Sequence, residues 1–359
     1  MTEFSETRKT ITMTAIVKDK PEQGFSIVEK TINTDLGPHE VLVKVAMASF
    51  CGTDLHIWRY DEWSRKRLKL PLTVGHEFSG RIVKIGTDVT KVRCGDLVSA
   101  ETHIICGECE FCKRGEGHIC ENTKVIGVDT DGCFASYLKM PEANCFINSD
   151  KVNPLFLSVQ EPLGNAVHTM MHFPLQGRDV AIVGCGPIGL MAVDVARAEG
   201  AKRVFAIEVN EYRRGKAKEL GADLVIDPMA TDVVGAIRAA TDGKGVDVVG
   251  EFSGNKSAIE QAFKYVKAGG GIAMLGLPNQ SIEIDVANDV VYKGLSIYGV
   301  TGRRIFETWH QVKKLIDNDR LHLDKIVTHV FPLKDINKAA ELMASGRSGK
   351  IVLIPEDHA

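Results

Sequence analysis

The stretch Val180-Ala181-Ile182-Val183-Gly184-Cys185-Gly186-Pro187-Ile188-Gly189 decides the fold. Four apolar residues in a row read as a buried strand, and the run ends in a Gly-x-Gly-x-x-Gly turn. Leu190 to Ala198 follows with helical periodicity, and Gly200 stands where a helix end favours a left-handed residue. Arg203 to Ile207 is a second apolar strand, ending at Glu208, 19 positions after Gly189. Strand, glycine turn, helix, strand and acid in that order form a dinucleotide-binding pattern. Gly184 permits the tight turn, Gly186 lets a pyrophosphate approach the backbone, and Gly189 lets the helix close on the strand. The helix N-terminus, with Pro187 and Ile188 in the turn before it, offers free N–H groups to phosphate. Glu208 would accept hydrogen bonds from ribose hydroxyls and repel a 2′-phosphate, which predicts NAD rather than NADP. Cys185 is read as a small residue that fits the turn.

Towards the C-terminus the alternation continues. Leu224 to Ile226, Val246 to Val249, Gly271 to Leu275 and Leu295 to Tyr298 are short apolar runs, with helices expected over Thr231 to Ala240 and Lys256 to Lys267. That makes an α/β domain with a six-stranded, doubly wound parallel sheet of the Rossmann type. Beyond it, Phe306 to Ile316 is expected to be helical, with Trp309, Val312, Leu315 and Ile316 on one face. Ile336 to Met343 reads as another helix, and Lys350 to Ile354 as a last strand that returns to the first domain.

Towards the N-terminus the pattern is β-rich. Strands are expected at Met13 to Val17, Phe25 to Glu29, Val41 to Ala46, Phe78 to Ile85 and Asp96 to Ala100. Trp58 to Lys69 reads as a surface helix or loop whose Arg65, Lys66 and Arg67 are solvated. Met1 to Thr12 is polar and mixed in charge, so it is read as a loose leader and not a secretory signal. With 359 residues, 44% hydrophobic and 25% charged, the chain can form two cores. A net charge of −3 gives no basis for nucleic acid or an anionic membrane as partner.

Two clusters carry metal chemistry. Cys51-Gly52-Thr53-Asp54-Leu55-His56 and Gly75-His76-Glu77-Phe78-Ser79-Gly80 supply a thiol, an imidazole and a carboxylate, all accepted by zinc. Gly52, Gly75 and Gly80 are expected to let backbone approach this site closely. A buried Cys and a core His that meet nothing are the alternative. Cys106, Cys109, Cys112 and Cys120 lie close together, and their spacing suits four thiolates around one tetrahedral zinc with no position left for substrate. Thiol redox chemistry is the rival for this cluster. Such cysteines without a signal sequence point to a reducing, cytoplasmic setting.

Together the two halves resemble the zinc-dependent medium-chain alcohol dehydrogenases. Gly75-His76-Glu77 with Gly80, Gly86 and Val89 matches that family's zinc signature, and the four-Cys lobe and the Gly184 to Gly189 turn follow in the family's order. The resemblance spans about Met13 to Ile354. It implies a GroES-like zinc-binding catalytic domain over 1–161 and 305–359, and an NAD-binding Rossmann domain over 162–304. Within the family, Cys51 to Trp58, Glu161-Pro162-Leu163-Gly164-Asn165-Ala166-Val167-His168 and Gly302-Arg303-Arg304-Ile305-Phe306-Glu307-Thr308-Trp309 are similar to the branch that oxidises the hydroxyl of L-threonine to 2-amino-3-oxobutanoate.

The resemblance implies zinc ligation by Cys51, His76 and Glu77, with Glu161 as a fourth, exchangeable ligand. Glu161 as a structural carboxylate at the domain junction is the alternative. It also implies a proton relay through Thr53 and His56, a specificity role for His103, Arg213 against the adenine, and Arg303 near cofactor or substrate. Thr53 could instead cap a helix, His56 could be an ordinary surface histidine, and Arg303 a surface arginine. His118, His168 and His172 are read as structural. Two zinc ions per chain, NAD, a small-molecule substrate and a homotetramer complete the expectation. A polyol or 2,3-butanediol dehydrogenase is the near alternative, and a non-catalytic zinc- and nucleotide-binding redox sensor is the alternative of another class. A quinone reductase of the same superfamily would lack these zinc ligands.

Overall fold

A computed structural model describes residues 9–355. The chain forms two compact units. The first runs to Glu161 and takes in Val327–Ser345 and the residues from Lys350; the second is Pro162–Ile326 with Gly346–Gly349. The chain re-enters the first unit at Val327, later than the 305 expected. The helices Glu307–Asp317 and Leu323–Ile326 stay with the second unit. A tie there is His322, whose N–H and Nδ1 reach the buried Asp194 carboxylate at 2.6 and 3.0 Å.

In the second unit the six-stranded sheet runs Leu224–Ile226, Arg203–Ile207, Asp179–Val183, Val246–Glu251, Val266–Met274, Ser296–Gly299, every pair parallel. Strand order therefore reverses beside Asp179–Val183, the first strand, and ligands of such sheets bind outside the carboxyl ends at that reversal. The helix Pro187–Ala198 begins there, with Pro at its first position, where a missing N–H costs nothing. Ala181, Val183, Phe205, Ile207, Val249 and Ile272 form the sheet's share of the core.

The first unit holds a three-stranded sheet (Ser26–Asn33, Thr10–Lys18, Leu72–Thr73) and a seven-stranded one. In the larger sheet Glu40–Phe50 pairs antiparallel with Glu77–Ile85 on one side and Lys350–Ile354 on the other. Its register sets Ser49 opposite Glu77 and Phe50 opposite Ile351. Cys51, directly after the first of these strands, is thus brought beside His76 and Glu77 at the start of the second. The first strand begins at Thr10, inside the expected leader, and residues 1–8 of that leader lie outside the described residues. Trp58 to Lys69 resolves into the end of the helix Gly52–Arg59 and the short helix Glu62–Arg67, where Arg65, Lys66 and Arg67 are exposed.

Candidate active site

The ligand atoms of Cys51, His76 and Glu77 lie within 4.8 Å of one another. Cys51 precedes the helix Gly52–Arg59, and its N–H donates to Asp54 Oδ2 at 2.9 Å, which fixes the first turn. Thr53 is therefore inside the helix and is not its cap. The other oxygen of Asp54 lies 3.6 Å from His76 Nδ1, a carboxylate aimed at the back of a potential metal ligand. Gly75 has φ +90, and a Cβ there would meet the Phe134 ring at 2.2 Å; a Cβ on Gly80 would meet the Lys44 carbonyl at 2.4 Å. Both glycines are required by packing. Gly52 has nothing within 4 Å of a built Cβ, so close approach does not explain it.

This cluster has the electrostatics of a cation site. Burial pushes the Asp54 carboxyl up to about 6. Burial would lower the His76 imidazolium, but Asp54, Cys51 and Glu77 outweigh it and raise the group to about 10. Positive charge is thus favoured among these buried side chains, and the Lys350 ammonium on Glu77 supplies part of it. Glu77 Oε1 is buried without a hydrogen-bond partner, as are His76 Nδ1 and Asp54 Oδ1. Soft thiolate, imidazole and carboxylate donors with such atoms between them fit zinc. Glu161, buried at the start of the helix Gln160–Met170, accepts from Thr102 Oγ1 at 3.3 Å and stands outside the group of three.

His56 is exposed on the same helix as Thr53, its Nδ1 2.5 Å from Asp61 Oδ2. His103 starts the short strand His103–Ile104, and the buried Glu101 carboxylate holds both its N–H and its Nδ1 at 3.0 Å. Among the partners not legible beforehand are Ser49, Glu101 and Lys350, all buried. Lys350 contacts Glu77 Oε2 and donates to the Phe50 carbonyl at 3.0 Å. Strand pairing, which links residues far apart in sequence, brings Ser49 and Lys350 to Glu77, whereas Glu101 lies two residues before His103.

The sulfurs of Cys106, Cys109, Cys112 and Cys120 also lie within 4.8 Å of one another. Cys106 Sγ is 3.5 Å from Cys120 Sγ and 4.0 Å from Cys112 Sγ. These separations are far too long for disulfides and bracket the edge of ~3.8 Å that a tetrahedron with Zn–S bonds of about 2.3 Å requires. Backbone N–H groups of Glu108 and Cys109 hold the Cys106 thiol down at about 6, which favours the thiolate that binds metal.

In the second unit a cleft of about 560 Å³ is lined by Gly184, Gly186, Glu208 and Arg213 among others. Gly184 has φ +83, and a Cβ on Gly189 would sit 1.9 Å from the Gly184 carbonyl, so the turn closes only with glycine at both positions. Gly186 has open space where a Cβ would be, as backbone approach by a pyrophosphate demands. Glu208 is buried, and its oxygens accept from the N–H groups of Cys185 at 2.7 Å and Asn210 at 2.8 Å. Arg213 Nε is buried without a partner. Cys185 is buried, and burial raises its thiol, so it is a packing residue.

Arg303 is neither exposed nor among the residues that line this cleft. It is buried against Gly164 and donates to Asn165 Oδ1 at 3.1 Å. His168 binds the Gly302 carbonyl at 2.8 Å and the Tyr298 hydroxyl at 3.2 Å, and His172 stacks on Tyr298.

Residues 187–318 match the family described as zinc-binding dehydrogenase, and residues 37–150 the alcohol dehydrogenase GroES-like domain. An L-threonine 3-dehydrogenase of Caldanaerobacter subterraneus subsp. tengcongensis is 51% identical, over 96% of this chain and 99% of its own. The chain belongs to the zinc-dependent medium-chain alcohol dehydrogenase family. A second relative, an L-threonine 3-dehydrogenase of Symbiobacterium thermophilum, is 50% identical over 96% of this chain and 98% of its own. The crystal structure of 2R,3R-butanediol dehydrogenase from Bacillus subtilis superposes with a TM-score of 0.86 at 28% identity, covering 96% of this chain and all of that one (100%). The dehydrogenase is therefore an NAD-dependent, zinc-binding oxidoreductase acting on an alcohol. Among its described residues no helix is long and apolar enough to cross a membrane.

Proposed function

We propose that this dehydrogenase oxidises the secondary alcohol of L-threonine to 2-amino-3-oxobutanoate, with NAD as hydride acceptor. The observation that carries the reading is the convergence of Cys51, His76 and Glu77 within 4.8 Å in a chain about half identical, over nearly its whole length, to enzymes of that name. When bound, zinc supplies a Lewis acid that favours the alkoxide of a secondary alcohol. Cys51, His76 and Glu77 hold it, and Glu161 serves as the exchangeable fourth donor.

His56 carries the proton outward from Thr53. A carboxylate only accepts, so Asp61 keeps the hydrogen on His56 Nδ1 and leaves Nε2 as the basic nitrogen of an exposed ring. Glu101 fixes His103 in the same way, so that His103 presents one defined face to substrate. Gly184, Gly186, Pro187, Ile188, Gly189, Glu208 and Arg213 bind NAD. Arg303 acts on the cofactor only through the loop it anchors. Cys106, Cys109, Cys112 and Cys120 hold a second, structural zinc. A cytoplasmic homotetramer is the state that the family resemblance favours.

A structural neighbour that oxidises a diol keeps a second reading open, a 2,3-butanediol dehydrogenase. A site built to pair an ammonium and a carboxylate rejects analogues that lack them by large factors. The test is kcat/KM for L-threonine, 2,3-butanediol and sorbitol with zinc-loaded protein. L-Threonine should exceed both by at least tenfold. A diol that wins by that margin would overturn the substrate assignment.

A further inference from the structure

Lys350 is 2% exposed and Glu77, which it contacts, is 0% exposed. A buried ion pair is a poor source of stability, because desolvating two charges offsets most of their attraction. This pair lies one strand register from Cys51. Ile351 stands opposite Phe50, so Lys350 enters beside the residues that lead into Cys51. Its ammonium touches Glu77 Oε2 and donates to the Phe50 carbonyl at 3.0 Å. Ser49 Oγ also contacts Glu77 Oε2, and lies 3.1 Å from the Ser158 carbonyl. Two donors therefore converge on one oxygen of the carboxylate. The other, Oε1, is buried with no hydrogen-bond partner.

We infer that Lys350 is a positioning residue for the catalytic zinc site: with Ser49 it occupies Glu77 Oε2, so that the carboxylate offers zinc Oε1 alone. The inference rests on the zinc-site reading of Cys51, His76 and Glu77. A carboxylate free at both oxygens is a stronger zinc donor than one whose second oxygen is held by an ammonium. A like charge beside the metal weakens binding further. Lys350 thus keeps Glu77 a weak ligand and leaves room in the coordination sphere for substrate, as a catalytic site requires.

The probes are zinc itself, by chelator competition at pH 8, and the visible spectrum of enzyme whose catalytic site holds cobalt(II). In Lys350→Met the zinc dissociation constant should fall at least tenfold, and the cobalt band should weaken as coordination rises above four. Lys350→Arg, which keeps the charge and the donor, should stay within threefold of wild type. The double variant Glu77→Gln/Lys350→Met should show the cobalt spectrum of Glu77→Gln. Should Lys350→Met fail to fold, Ser49→Ala removes the other tie on Oε2 and should shift affinity and spectrum the same way, by a smaller factor. A purely structural lysine would move stability alone, so unchanged zinc affinity and spectrum in folded Lys350→Met, or in Ser49→Ala, overturn the inference while leaving the zinc site intact. Wild-type protein with no metal at Cys51 overturns the site reading, and the inference with it.

Discussion

At Glu208 one carboxylate serves two purposes. It receives the N–H groups of Cys185 and Asn210 and so holds the glycine turn against the next strand's end. It also lines the cleft in which a ribose would sit. Removing it should therefore cost more than one ribose contact. A hydrogen bond to a charged group contributes about 1.5–3 kcal/mol, and here two backbone donors lose their acceptor as well. Glu208→Ala should raise the KM for NAD at least tenfold and narrow the preference for NAD over NADP. Glu208→Gln keeps the shape and one acceptor oxygen but drops the charge. Its NH2 cannot accept from the second backbone N–H, so KM for NAD should rise, though less than in Glu208→Ala, and the preference should still narrow, because the charge is what repels a 2′-phosphate. Steady-state kinetics with both cofactors checks this, and an unchanged NAD/NADP ratio in both variants would contradict the charge argument.

The lobe from Cys106 to Cys120 has little else to hold it. Its helix Glu110–Lys113 is a single turn with no buried residue, and Ile119 is 39% exposed. Structural zinc can supply ~10–16 kcal/mol at neutral pH, far more than such a segment buries. Cys109→Ser should lower the melting temperature and reduce zinc from two ions per chain to one, as measured by metal analysis. Freely reactive Cys106, Cys109, Cys112 and Cys120 in stable wild-type protein would refute the assignment. The gathering of these four cysteines was legible in the sequence because they are close neighbours in the chain. So was the sheet: Arg203–Ile207 and Leu224–Ile226 fall where apolar runs put them, since buried parallel strands are apolar throughout. The helix Glu211–Glu219 was missed because it is mostly charged, carries Gly215 and buries only Ala217. The strand Val327–Pro332 was missed because its residues are half exposed and give no alternation. At the site, Cys51, His76 and Glu77 could be read from residue type. Lys350 could not, because it reaches Glu77 only through the strand Glu40–Phe50, which pairs with both of their strands from far away in the chain.

The division of labour over the whole chain has a direct consequence. Cys51, His76 and Glu77 belong to the first unit, whereas the turn Gly184 to Gly189, Glu208 and Arg213 belong to the second. Each unit has its own buried core, with Val43, Phe78 and Ile351 in one and Val183, Phe205 and Ile272 in the other. Damage to the metal site should therefore leave the nucleotide turn folded and functional. Cys51→Ser replaces a thiolate by a hydroxyl that does not ionise near neutral pH, so it removes an anionic ligand while nearly preserving volume. Turnover should fall by at least a thousandfold, whereas the dissociation constant for NAD, measured by calorimetry, should stay within threefold of wild type. The melting temperature should change little, since Cys51 sits at a helix start and not in the core. A large loss of NAD affinity in folded Cys51→Ser would mean that the two sites are energetically coupled, and binding could then no longer be assigned to the second unit alone.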